Sequence, residues 1–289
     1  MIVSHSNRFI FFKPMKVAGT SIESALWQSC NSQTDIYTGA LLKSEILSSK
    51  YDLSPVNNWS ENKVLNREDA ILYLRKNSQY DLIKKIKEDI SIHKIRLADP
   101  IVYEHTSPKM LAESNIIDIS NYKTISIIRN PFDMIVSYYW WAFNVGDTYY
   151  DSFNERYKKN KRNISSLSPK KDDTVIEIRE KIKKFYNMPA NFSQSYRRKN
   201  KNQTVIEWIA EWQNEFFLYN MDLWIKFEDL HSSYADTCEK LSIEKFNIPK
   251  FKTGLRKNKI KPIHYYDSEF YENVICLFRE TLDKFNYNY

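Results

Sequence analysis

The chain is poor in cysteine and glycine and has no long apolar run. Its three cysteines, Cys30, Cys238 and Cys276, are scattered over 289 residues. An odd, dispersed set argues against a disulfide framework and shows no metal-ligand spacing. No stretch approaches the roughly 18 uninterrupted apolar residues of a membrane span, and the N-terminus lacks a basic region followed by an apolar core. No membrane span or secretory leader is therefore expected, and the cytoplasm is the expected location. Glycine occurs only four times. The nucleotide-triphosphatase loop G-x-x-x-x-G-K-[ST] needs a lysine directly after its second glycine, and no such arrangement is present.

At 42% hydrophobic residues the chain can bury a full core, and a single α/β domain over residues 1–289 is expected. The net charge of +7 is uneven: residues 155–201 hold 15 Lys/Arg against 5 Asp/Glu, an excess of +10 that leaves −3 for the rest. Basicity is one segment's property. That segment falls within 142–204, which opens with Trp140–Phe143 and Tyr149–Tyr150 and reads as a basic substrate-side insertion or lid.

The stretch RFIFFKPMKVAGTSIESALW (8–27) organises the chain. Arg8 to Phe12 suits a buried strand, and Pro14 ends it because proline cannot donate to a sheet ladder. Thr20, with Glu23 at capping-box spacing, predicts a helix from about Thr20. The turn between offers backbone N–H groups, Gly19, the hydroxyls of Thr20 and Ser21, and the cation Lys16. These are the ingredients of a phosphate cradle.

Two later stretches repeat the pattern. In IVYEHTSPKML (101–111), Ser107 caps a helix, Pro108 takes its first position, and His105 falls at the strand's end. In KTISIIRNPFDMIVSYYWW (123–141), Thr124 to Ile128 form a strand that leaves Arg129 at its tip. Asn130 and Pro131 open a helix, and Ser137 lies about two turns beyond Arg129. Ligands of open parallel sheets bind outside the strands' carboxyl ends, so Lys16, His105 and Arg129 are expected to converge on one crevice.

Further helices are predicted at Glu68–Ile90, Val175–Tyr186, Val205–Phe217 and Glu269–Phe285, with a loop at Pro55–Asn58. A strand and corner are predicted at LWIKFEDL (223–230), followed by a helix through Leu241. His264 is expected to pack among aromatics.

KPMKVAGTSIE resembles the PKTAGTS loop of sulfotransferases that use 3′-phosphoadenosine 5′-phosphosulfate (PAPS), although Met15 stands where the family has proline. RNPFDMIVSYY resembles the family's RNPYDRLVSAY signature. SQSYR (193–197), WIKFEDL and the closing HYYDSEF…FNYNY are similar to weaker family elements, with Asn286 where glycine is usual. The resemblance implies a P-loop nucleotide-kinase-like sulfotransferase fold, a central parallel sheet flanked by helices. It also implies transfer of a sulfuryl group from PAPS to a hydroxyl, with adenosine 3′,5′-bisphosphate as product and no metal. Carried onto this sequence, it gives Lys16, Val17, Ala18, Gly19, Thr20 and Ser21 the 5′-phosphosulfate. Arg129 and Ser137 take the 3′-phosphate, and His105 is the catalytic histidine. Glu228 shapes the core of the site, and Arg256–Lys261 folds over the nucleotide.

The expected partners are the nucleotide donor and a glycan or other hydroxyl acceptor, with no nucleic acid. Two alternatives stand beside this reading. A P-loop-type kinase would need Mg²⁺-binding acids, and no apolar run ending in Asp supplies them. A non-catalytic binder of anionic polymers would use the basic segment and bind in a salt-sensitive way.

Overall fold

The structure, a computed structural model, describes residues 1–31, 34–37, 105–114, 117–144, 165–170, 172–190, 203–249 and 260–287. The features expected at Glu68–Ile90, Pro55–Asn58, 101–104, Tyr149–Tyr150 and 193–197, and most of Arg256–Lys261, lie outside them. The strands are β1 (Ile2–Ser4), β2 (Phe9–Phe12), β3 (Ile36–Tyr37), β4 (Lys123–Ile128) and β5 (Leu223–Lys226). The helices are α1 (Gly19–Trp27), α2 (Pro108–Ser114), α3 (Pro131–Asn144), α4 (Val175–Tyr186), α5 (Val205–Phe217), α6 (Leu230–Leu241) and α7 (Ser268–Phe285). Among the described residues no helix is long and apolar enough to cross a membrane.

The chain forms two compact units and enters each twice. One is Met1–Ile128 with Asn220–Phe251, the other Arg129–Tyr219 with Lys252–Tyr289.

The first unit is a five-stranded sheet ordered β3-β1-β2-β4-β5. β2, β4 and β5 are parallel neighbours, whereas β1 runs antiparallel to both β2 and β3. The sheet is thus parallel across β2, β4 and β5, as expected, and mixed as a whole only through β1. The reason is connection length. β1 and β2 are joined by a link too short for a crossover, turning at Arg8 with φ 54°, and so short a link permits only antiparallel pairing. All four residues of β2 are buried, so both faces of this central strand are covered. Asp222 pins β5 to β4, accepting from Thr124 N at 2.8 Å and Thr124 Oγ1 at 2.9 Å. Phe12 pairs with Ser126, and the Ser126 hydroxyl donates to the Phe12 carbonyl at 3.1 Å, so β4 runs past the end of β2 on the same edge.

In the second unit, α4 and α5 each open with a capping box, Thr174 with Glu177 and Thr204 with Glu207. α4 buries Ile178, Ile182, Phe185 and Tyr186, and the Tyr186 hydroxyl donates to the Ile135 carbonyl of α3 at 2.6 Å. This part of 142–204 contributes its apolar face to the core of the second unit. Three of its four cations are also engaged: Lys181 with Asp173, Lys183 with Asp267 and Glu269, and Arg179 with the His264 carbonyl. The His264 side chain is exposed, while its neighbours Tyr265 and Tyr266 are buried. α7 ends at Asn286, whose φ of 54° lies in the left-handed region that glycine and asparagine enter most readily. Tyr287 N then donates to the Leu282 carbonyl at 3.0 Å.

Candidate functional site

The turn after β2 is where the first unit departs from ordinary geometry. Lys16 and Ala18 have φ of 60° and 63°. Each non-glycine residue held there costs on the order of 1–3 kcal/mol, so the surroundings must enforce it. Ala18 is the N-cap of α1 and supplies no side-chain hydrogen bond. A left-handed residue followed by helical Gly19 turns successive N–H groups toward one concavity, an anion-binding nest. Ser21 N and Ile22 N are used by the Ala18 carbonyl at 3.0 and 3.3 Å. Among the described residues, no hydrogen bond engages the N–H groups of Val17, Ala18, Gly19 or Thr20. Lys16 and Thr20 are half-buried, and Ser21 is buried.

The capping box expected of Thr20 and Glu23 is not formed. Glu23 is fully buried and turned inward, with Oε2 2.6 Å from Lys13 Nζ and Oε1 2.5 Å from the Met1 ammonium. A buried carboxylate is held far better by two cations than by one backbone N–H. Lys13 is the residue that sequence reasoning missed. Its stem lies across Gly19, where an added Cβ would fall 2.6 Å from Lys13 Cγ, so glycine is required by close packing. The signal was a lysine directly after an all-apolar strand, where it must find a partner.

His105 is brought to this turn from 92 residues away in sequence. Its Nδ1 lies 2.7 Å from the Lys13 carbonyl. A carbonyl only accepts, so Nδ1 carries the proton and Nε2 is the basic nitrogen of the neutral ring. His105 directly precedes the α2 corner, where Ser107 Oγ accepts from Met110 N at 3.3 Å and Pro108 opens the helix.

Arg129 and Ser137 belong to the second unit. Arg129 follows β4 and donates to Asp133 through Nε at 2.8 Å and Nη2 at 2.5 Å. Asn130 Oδ1 caps α3, accepting from Phe132 N at 3.0 Å. Ser137 is half-buried and one turn beyond Asp133 on the same helix line. Glu228 is exposed in the 3-10 turn Phe227–Asp229.

Cys30 and Cys238 are held in their thiol forms. Burial pushes the Cys30 thiol up to about 12, with the Asp35 charge adding to the effect, and burial raises Cys238 as well. Comparison of the chain with protein-family models, with curated proteins and with solved structures finds no match.

Proposed function

We propose that the protein is a PAPS-dependent sulfotransferase with the P-loop-like sulfotransferase fold, acting on the hydroxyl of a carbohydrate acceptor. The observation that carries this reading is the nest at Lys16–Gly19, set after the end of a parallel strand with Lys16 in it and His105 hydrogen-bonded to the Lys13 carbonyl just before it. The KPMKVAGTSIE and RNPFDMIVSYY resemblances add the donor's identity to that chemistry.

In the proposed reaction an acceptor oxygen attacks sulfur in line. The new O–S bond forms as the bond from sulfur to the bridging phosphate oxygen breaks, and adenosine 3′,5′-bisphosphate leaves with the electron pair. Such transfers are governed by positioning and electrostatics. The N–H groups of Val17 to Thr20 and the Thr20 and Ser21 hydroxyls hold the phosphosulfate, and Lys16 offsets charge growing on the bridging oxygen. His105 Nε2 takes the acceptor's proton. Arg129 and Ser137 grip the 3′-phosphate, which separates this donor from adenosine phosphosulfate and ATP. An anionic glycan would be drawn by the +10 excess of residues 155–201.

The test is incubation of the purified chain with ³⁵S-labelled PAPS and a panel of neutral and anionic glycans, without added metal. Label in a glycan and release of adenosine 3′,5′-bisphosphate are expected. Phosphate transfer from ATP, or salt-sensitive polymer binding without donor turnover, would replace the reading with one of its alternatives.

A further inference from the structure

We propose that Lys13 is the positioning residue of this site, fixing His105 with its backbone carbonyl and the phosphate turn with its side chain. The inference rests on the reading of His105 as the proton acceptor.

Lys13 touches three parts of the site at once. Its carbonyl accepts the Nδ1–H of His105 at 2.7 Å. Its stem is packed on Gly19, the first residue of α1. Its ammonium is 2.6 Å from Glu23, one turn further along that helix, and both side chains are buried. The lysine thus straps the end of β2 to the start of α1, with the left-handed residues Lys16 and Ala18 enclosed in the strap. A buried ion pair is a weak source of stability, because desolvation offsets most of the attraction. What it does supply is geometry, since the 2.6 Å contact fixes the Lys13 ammonium at a set place on α1. The same strap sets where the Lys13 carbonyl points, and so which imidazole nitrogen bears the lone pair. An uncontrolled tautomer would leave Nε2 protonated part of the time and unable to take a proton from the acceptor.

The experiment is nitrogen NMR of the full chain with ¹⁵N-labelled histidine, the His105 ring being assigned by its loss in His105→Asn. At a pH where the ring is neutral, the wild type is expected to show a protonated Nδ1 and an unprotonated Nε2. Lys13→Met removes the ammonium and is expected to mix the two tautomers. It should lower turnover by up to about 10²-fold, the effect of a misplacement near 1 Å, with a smaller change in donor KM. Lys13→Arg, which can keep the pair with Glu23, is expected to restore most of the tautomer bias. An Nε2–H tautomer in the wild type would overturn the inference without any variant. So would an unchanged tautomer and turnover in folded Lys13→Met, or in Glu23→Leu should Lys13→Met fail to fold. Full turnover in His105→Ala would instead overturn the proton-acceptor reading and leave the tautomer result standing, so the two failures are told apart.

Discussion

Arg129 closes on Asp133 through two of its nitrogens, Nε at 2.8 Å and Nη2 at 2.5 Å from the same carboxylate oxygen, across one turn at the start of α3. Both side chains are largely buried. The pair fixes the plane of the guanidinium, and a fixed fork loses less freedom when it binds a phosphate. Arg129→Ala should weaken binding of adenosine 3′,5′-bisphosphate by about 10–100-fold, as for loss of a hydrogen bond to a charged group, and of adenosine 5′-monophosphate far less. Asp133→Asn should shift the same ratio in the same direction by a smaller amount. Calorimetry giving equal losses for both nucleotides would assign Arg129 to structure alone.

Lys16 sits half-exposed in a left-handed conformation that glycine adopts without strain. Lys16→Gly should therefore keep or slightly raise the melting temperature while removing about 10²–10³-fold of transfer activity. Parallel loss of melting temperature and activity would make Lys16 a folding residue.

Gly19→Ala places a methyl 2.6 Å from Lys13 Cγ, near the root of a side chain whose far end is tied to Glu23. The stem cannot swing aside without breaking a buried ion pair. A destabilisation of roughly 1–3 kcal/mol is expected, typical of overpacking, and urea titration measures it. An unchanged midpoint would mean that the stem moves freely.

Asp35 accepts from Ser4 Oγ at 2.8 Å, Ser6 N at 2.9 Å and Asn31 N at 2.9 Å, with Ser6 Oγ also donating. Burial pushes its carboxyl up, but the hydrogen bonds from Ser6, Asn31 and Ser4 outweigh burial and hold it below the usual range. A group depressed in the folded state stabilises above its unfolded value, near 3.9, and that stability is lost as pH falls through the folded value. Stability of the wild type should decline from about pH 5 downward, and Asp35→Asn should flatten that decline. Denaturant midpoints with parallel slopes for both proteins would show that Asp35 does not govern the acid limb.

Regular elements were legible where local chemistry decides them. Thr174 with Glu177 and Thr204 with Glu207 mark α4 and α5 because their side chains have nothing better to bind than the helix start. The identical spacing of Thr20 and Glu23 misleads, since a carboxylate in the core takes Lys13 and the Met1 ammonium instead. β1 and β3, at three and two residues, are too short for a periodic signal, so the sheet's mixed direction could not be read. At the candidate site, Lys16 and Gly19 could be found from the turn chemistry. The left-handed backbone at Lys16 and Ala18, the strap from Lys13 and the Nδ1–H of His105 depend on contacts between distant stretches.

The central claim, that the turn Lys16–Ser21 holds the 5′-phosphate of a 3′-phosphorylated adenine nucleotide, is tested most directly by electron density from crystals soaked with adenosine 3′,5′-bisphosphate. The 5′-phosphate is expected against the N–H groups of Ala18, Gly19 and Thr20, with the Lys16 ammonium on its oxygens. Density for the nucleotide elsewhere, or an empty turn at saturating nucleotide, would contradict the account.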